Sequence, residues 1–414
     1  MEMPRTTNHA ALVRTAREDD LDRLVSIHSA AFPDARGREA RRRNFAENVR
    51  GSLGDLFVAE RDGALVGHAF LFRMSTWIGG VELPIGGIAS VGVAPEWRGS
   101  GVGRGLIHAL HDELRARGTG LSLLYPFRHS FYRRLGYGTV AEVKRLRVPP
   151  SALPGRDVLG EVRSASPDDW LAMRRCYERL AARSTGLLAR REAVWRAALS
   201  PEGRQIVVVA GARGELSGYA IYAYMSAPDG LAQELDVLEL VAETDVARLA
   251  LLGFFRRQRD QAPYVRLLLD ARDPLALFCD EPRAPTTDTI RSLVAVAGEL
   301  GAGAMLRIVD LRAALAARGY AADGELTLRI VDAELSLGAT TGTLRVSGGR
   351  AVFGPERHGP RLTVDASTFA QIYAGAVSAT DAARYGRAET SDAETLRLAD
   401  RLFAVAPFFT LDTF

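Results

Sequence analysis

Ile88-Ala89-Ser90-Val91-Gly92-Val93-Ala94-Pro95-Glu96-Trp97-Arg98-Gly99-Ser100-Gly101-Val102-Gly103-Arg104 is the stretch that decides the fold. Ile88–Val93 reads as an apolar strand that stops at a turn at Pro95. Gly99, Gly101 and Gly103 then stand at alternate positions, and a helix follows at once. Leu106, Ile107, Leu110 and Leu114 share one face of that helix, and Gly118 is placed as its stop. Without side chains at the three glycines, successive backbone N–H groups can approach an anion at a helix N-terminus, where the helix dipole also favours negative charge. Arg98 and Arg104 add positive charge, so a pyrophosphate is the natural occupant. The dinucleotide fingerprint G-x-G-x-x-G does not fit the spacing, and no acidic residue about 20 positions on ends a following strand. A P-loop would need Gly-Lys-Ser/Thr. The bland alternative is a tight turn that merely starts a helix. Strand, proline, arginine, alternating glycines and helix in this one order favour the phosphate reading.

Composition narrows the surroundings. The chain has 414 residues, 47% of them hydrophobic and 25% charged, enough for well-packed cores in two to four domains. The net charge of 53 − 50 = +3 gives no argument for nucleic acid. Lys144 is the single lysine and lacks a glycine-rich setting, which removes P-loop and Schiff-base chemistry. Cys176 and Cys279 make neither a disulfide framework nor a zinc cluster, which fits a reducing compartment. Met1–Asp20 holds no apolar core of signal-peptide length, and no run of about 18 apolar residues occurs. The expectation is a cytoplasmic protein with no membrane span.

Along the chain, Ala11–Thr15 reads as a strand, and Asp19 or Asp20 caps a helix carrying Leu21, Leu24, Val25 and Phe32. Leu56–Glu60 and Ala64–Phe72 flank the turn Arg61-Asp62-Gly63. Prolines at Pro149 and Pro150 suggest a boundary. The same order then recurs: strand Leu159–Arg163, helix Asp168–Ala181, strands Gln205–Ala210 and Ser217–Tyr224 about the turn Gly211–Gly214, strand Leu235–Val241, and a helix from Asp245. This is a duplication of element order, not of sequence. A third unit begins near Ala304, with a helix Leu311–Arg318, a β-rich stretch Glu325–Phe353 and helices at Ala366–Ala374 and Ser391–Leu402. The apolar stretch Phe408–Phe414 is expected to be tucked against something.

Arg98-Gly99-Ser100-Gly101-Val102-Gly103 resembles the acyl-CoA pyrophosphate loop of the GNAT N-acetyltransferases, whose pattern is Gln/Arg-x-x-Gly-x-Gly/Ala. Val91-Gly92-Val93-Ala94-Pro95 before it and Phe131-Tyr132-Arg133-Arg134-Leu135-Gly136-Tyr137 after it are similar to that family as well. The layout of the whole chain resembles the Eis (enhanced intracellular survival) family within it. The fold class so implied is α+β (mixed α/β): a catalytic GNAT domain over residues 1–150, a degenerate GNAT-like domain over 151–300, and a sterol-carrier-protein-like domain over 301–414 that brings in the catalytic C-terminus. The activity implied is transfer of acetyl from acetyl-CoA to primary amines of small cationic acceptors such as aminoglycosides, lysine side chains and polyamines, in a hexamer. Metal, nucleic acid and membrane play no part in it. A transferase for one dedicated amine, or a CoA- or lipid-binding scaffold, are the alternatives.

The resemblance also assigns residues. Backbone groups of Val91, Gly92 and Val93 would hold the pantetheine arm, and Arg98, Gly99, Ser100, Gly101, Val102, Gly103 and Arg104 the pyrophosphate. Tyr132 would be the general acid, since a phenol with an ordinary pKa near 10 can protonate a thiolate. Glu82, Glu96 and Asp112 lie near the loop, yet nothing singles one out as a base. The resemblance points instead to the Phe414 α-carboxylate, with Asp412 adding negative charge and Asp34 in the loop that admits the acceptor. His129 stands three residues before Tyr132, as pocket wall or plain loop. His108 and His111 lie one helical turn apart without a third placed ligand, and read as a solvated face. Arg41-Arg42-Arg43 read the same way. In the second unit Glu243 and Asp245 stand where the loop would be and would repel a pyrophosphate.

Overall fold

A computed structural model describes residues 11–156, 161–200, 203–211, 214–226, 233–282, 296–334 and 338–414. Leu159 and Gly160 of one expected strand, and the centre of the expected turn Gly211–Gly214, lie outside the described residues. The chain forms two seven-stranded sheets and one five-stranded sheet, with helices packed against them.

The first sheet runs Leu12–Thr15, Leu56–Arg61, Ala64–Ile78, Val81–Val93, Leu121–Leu124, Met305–Ile308, Gly138–Thr139. The second runs Val162–Ser164, Gln205–Ala210, Leu216–Ser226, Gln233–Ala242, Val265–Asp270, Glu142–Val148, Gly298–Ala302. The plans are the same: three antiparallel neighbours, one short parallel pairing, then two antiparallel strands. The duplication reaches individual residues. Arg14 forms a forked ion pair with Asp20, whose Oδ2 also accepts from the Arg17 N–H. Arg163 does the same with Asp169, whose Oδ2 accepts from the Ser166 N–H. Each carboxylate ties the first strand of a unit to the start of its first helix.

The sheets exchange strands reciprocally. Glu142–Val148, from the first half of the chain, lies in the second sheet between Val265–Asp270 and Gly298–Ala302. Met305–Ile308, which sequence order places with the third unit, lies in the first sheet between Leu121–Leu124 and Gly138–Thr139. The two crossing chains stay hydrogen-bonded to each other in passing, Val140 N–H to Ala304 O and Gly303 N–H to Ala141 O. Gly138 admits this close packing, because a Cβ there would sit 2.1 Å from the Ser367 carbonyl of the third unit.

The third unit places the helices Leu311–Ala317, Ala366–Tyr373, Ala379–Arg384 and Ala393–Phe403 around its five-stranded sheet. Its core is continuous with that of the first sheet through Leu121, Leu123 and Leu306. The C-terminal stretch then leaves it. Phe408 is fully buried, and the Phe409 N–H donates to Thr185 O of the second unit. Gly186, at φ +100°, lets the backbones touch, since a Cβ there would meet Phe409 O at 2.8 Å. Lys144, the single lysine, donates to Asp273 O at 2.6 Å. No described helix is long and apolar enough to cross a membrane.

Because strand Met305–Ile308 is supplied from the other half, a fragment of residues 11–150 has Leu121–Leu124 as an open sheet edge. That fragment is expected to show no cooperative thermal transition by circular dichroism and to bind a hydrophobic dye. A sharp two-state melt would refute the exchange.

Candidate active site

A cleft opens where two strands part. Val81–Val93 pairs with Leu121–Leu124 only over Gly86–Ser122, Gly87–Leu123 and Ile88–Leu124. Immediately beyond, the register with Ala64–Ile78 shifts between His68 and Phe70, leaving Ser90 and Val91 in a bulge. Ser90 holds a left-handed φ of 50°, one of two non-glycine residues to do so among those described. The parting gives a cavity of about 450 Å³ whose lining includes Ser90, Val91, Tyr125, Phe127, Tyr132 and Phe414, together with His28, Phe32, Arg36, Asn44, Asn48 and Arg50.

The glycine loop follows the same strand. Gly99 and Gly101 adopt φ of +81° and +89°, and nothing lies within 4 Å of where a Cβ would stand on either. Gly101 is the N-cap of the helix Val102–Ala116, whose first N–H groups have no acceptor in the helix itself. An open, side-chain-free loop on a helix N-terminus is what a pyrophosphate requires. Gly103 packs beside Val93 and Phe131, which sets the loop against both the cleft strand and the Tyr132 helix. The two arginines have protein partners: Arg98 donates to Ala30 O at 2.8 Å, and Arg104 pairs with Glu334 of the third unit at 2.9 Å. His108 Nε2 lies 2.6 Å from the same Glu334 carboxylate. The second unit has no such loop: the Thr244 side chain caps the corresponding helix, and Glu243 pairs with Arg179.

Tyr132 lies on the short helix His129–Arg134, packed edge-on against Phe127, Phe131 and Tyr137. Burial pushes its phenol well above the ordinary range. Tyr137 beneath it is held by Ser122 Oγ at 2.7 Å and His111 Nε2 at 2.8 Å. The expected solvated histidine face is thus half wrong: His111 is buried, and burial lowers its pKa. His129 is exposed and does not line the cleft.

Phe414 inserts its ring between Tyr125, at 5.6 Å, and Phe72, at 6.5 Å. Gly87 makes the room, since a Cβ there would stand 3.0 Å from that ring. What holds Phe414 is Asp412. Sequence reasoning offered this carboxylate to the acceptor, but the structure buries it and ties it up. Arg190 Nε meets both oxygens at 2.9 and 3.1 Å, and Arg50 Nη2 meets Oδ1 at 2.9 Å. The far edge of Arg190 grips Glu239 at 2.7 and 2.9 Å, and its guanidinium lies over Tyr177 and Trp195. Tyr219 donates to Glu239, and the Tyr125 hydroxyl donates to Asp412 O at 2.7 Å. The reason is electrostatic: a carboxylate this deep must be paired to remain charged.

Asp34 is also committed elsewhere. Its carboxylate binds Arg36 Nε at 2.7 Å and Arg41 Nη2 at 2.6 Å, which lowers its pKa to about 2, and it does not line the cleft. Arg41, read as a solvated face, is buried and clasps the carbonyls of Phe32 and Arg36. Arg42 is half-buried and pairs with Asp22, and Arg43 does face solvent. Sequence reasoning missed His28, Arg36, Arg50 and Arg190, which come from the first helix and from separate loops with no motif linking them. His28 lies in the cleft wall, and burial beside Arg41 lowers its pKa to about 4, so it is neutral at pH 7.

Comparison with known proteins agrees with this arrangement. Acetyltransferase (GNAT) domain models match residues 12–140 and 186–308, and a sterol carrier protein domain model matches residues 311–410. An uncharacterised N-acetyltransferase of Streptomyces coelicolor is 33% identical over 352 residues, covering 80% of this chain and 82% of that one. The N-acetyltransferase Eis of Mycobacterium tuberculosis is 27% identical over 410 residues, covering 94% and 95%. The crystal structure of Eis1 from Mycobacterium abscessus shares the fold, with a TM-score of 0.78 at 24% identity over 97% of this chain and 100% of that one.

Replacing Arg190 with Met removes the cation between two buried carboxylates. Arg190→Met is expected to cost about 3–5 kcal/mol in urea unfolding. A change below about 1 kcal/mol would show that this node does not hold the tail.

Proposed function

The chain belongs to the Eis family of GNAT N-acetyltransferases, and from that premise we propose that it transfers the acetyl group of acetyl-CoA directly to the primary amine of a small acceptor, with Tyr132 as general acid and the Phe414 carboxylate as general base. The observation that carries this reading is the shared cleft. The strand parting, a buried tyrosine and Phe414 meet at one cavity, and the open glycine loop follows from the strand that lines it. The residues present suit acetyl-CoA. The bulged backbone at Ser90 and Val91 is the surface for an extended pantetheine arm, and the Gly99–Gly103 loop is the cradle for its pyrophosphate.

Acetyl-CoA supplies an acetyl group activated as a thioester. The Phe414 carboxylate accepts the proton that the attacking amine must lose, and Tyr132 gives its own proton to the departing sulfur. Among the described residues the Tyr132 hydroxyl has no hydrogen-bonding side chain of its own, so its proton is free for the cleft. Its raised pKa keeps that proton on oxygen throughout the range in which an amine can be deprotonated. Arg50 steadies the chain next to the base by holding Thr413 O at 3.0 Å.

Release of free thiol from acetyl-CoA tests the activity. Tyr132→Phe is expected to lower kcat by about 10²–10⁴-fold with little change in acetyl-CoA affinity. Deleting Phe414 alone is expected to do the same, and full turnover without it would remove the proposed base. The sign of the Tyr132 shift makes a further prediction. A general acid with a raised pKa stays protonated as pH rises, so kcat should remain level between about pH 8 and 10. A fall centred below pH 10 in wild type, absent from Tyr132→Phe, would contradict the assigned environment.

A further inference from the structure

Among the described residues that line the cleft, no side chain is a carboxylate, whereas Arg36 and Arg50 are both there. The nearby acids are already committed. Asp412 and Glu239 balance Arg50 and Arg190, two anions for two cations. Behind Arg36, outside the cleft, Asp34 is the single carboxylate paired with Arg36 and Arg41, two cations for one anion. The Arg36 side of the cleft therefore carries an uncompensated positive charge, and the Arg36 side chain is 56% exposed. Its position is built. Buried Arg41 clasps Phe32 O at 2.9 Å and Arg36 O at 3.1 Å, fixing the loop that presents Arg36. His28 beside it is neutral and adds no negative charge. Phe32, Phe72 and Phe127 give the cleft an apolar part beside these polar groups.

We infer that the acceptor is an amine that also bears an anionic group and an apolar body, with Arg36 as the residue that reads the anion. The inference rests on the acetyltransferase reading above and narrows its substrate class. A polycation would meet Arg36 and Arg50 with only the Phe414 α-carboxylate, already taken up as the proposed base, to offset them. An amino carboxylate would place its anion on a guanidinium, which recognises carboxylates through paired donors, and leave its amine for the base.

The test uses the full chain with acetyl-CoA and three acceptors of graded charge: phenylalanine, phenylalanine amide and spermidine. Phenylalanine is expected to exceed both others in kcat/KM by about tenfold or more. Arg36→Gln is expected to raise KM for phenylalanine about tenfold with kcat within about twofold, and to leave the amide unchanged, a split that a general loss of fold would not give. Arg36→Lys should recover part of the affinity. Turnover that favours the amide or spermidine overturns the inference and keeps the acetyltransferase. Binding of acetyl-CoA without turnover of phenylalanine also overturns it. Absence of both acetyl-CoA binding by calorimetry and thiol release with any acceptor would instead overturn the acetyltransferase reading itself.

Discussion

The structure depends on one buried guanidinium. Arg190 is drawn from the second unit, grips Glu239 of its own sheet with one edge, and holds Asp412 with the other. In a medium of low dielectric, neither carboxylate would keep its charge alone, and the cation between them would be costlier still. The pairing is satisfied only when the C-terminal stretch lies in one place. Tyr125 and Arg50 of the first unit fasten the same stretch from the other side. Such a network contributes little net stability compared with an apolar core, but it permits few alternatives. Its worth lies in fixing where Phe414 stands in the cleft, to the ångström-scale tolerance that the proposed proton transfer would demand.

Around that node the electrostatics of the cleft are set by loops, while its shape is set by the sheet. The bulge at Ser90 and the parting of two strands follow from backbone geometry in the densest part of the first unit. Charge comes from elsewhere: the short loop holding Arg36, the turn holding Arg50, and neutral His28 on the first helix. In the proposed reading, the chemistry of the reaction and the choice of acceptor would thus lie on different structural elements. The first can stay fixed while the second changes, as on other scaffolds where loops carry specificity.

Much of this was legible in the sequence where it is local. The glycine loop, its helix and the strand before it follow from glycine spacing, a proline and a helical period, all within about 20 residues. The duplication was legible as element order. Its residue-level echo, Arg14 with Asp20 and Arg163 with Asp169, was hidden because those pairs lie among unrelated neighbours. Asp34, Asp412 and Arg41 show the limit. A charged residue in sequence looks solvated or functional, and only three-dimensional packing shows that a partner from a distant segment has claimed it. Arg190 and Asp412 are 222 positions apart. The reciprocal exchange was illegible for a similar reason. Met305–Ile308 reads as a good strand, but nothing in a four-residue apolar segment states which sheet it will join.

That exchange has a bearing on how the chain is made. The first sheet lacks its sixth strand until Met305–Ile308 exists, although its other strands are complete by Thr139. At ordinary rates of synthesis the intervening stretch of about 165 residues takes roughly 10–30 s to emerge. Throughout that interval one edge of Leu121–Leu124 waits without its neighbour, and it pairs only after the second unit has been made. The first sheet therefore cannot be completed as it leaves the ribosome; the two sheets finish together, each closing the other.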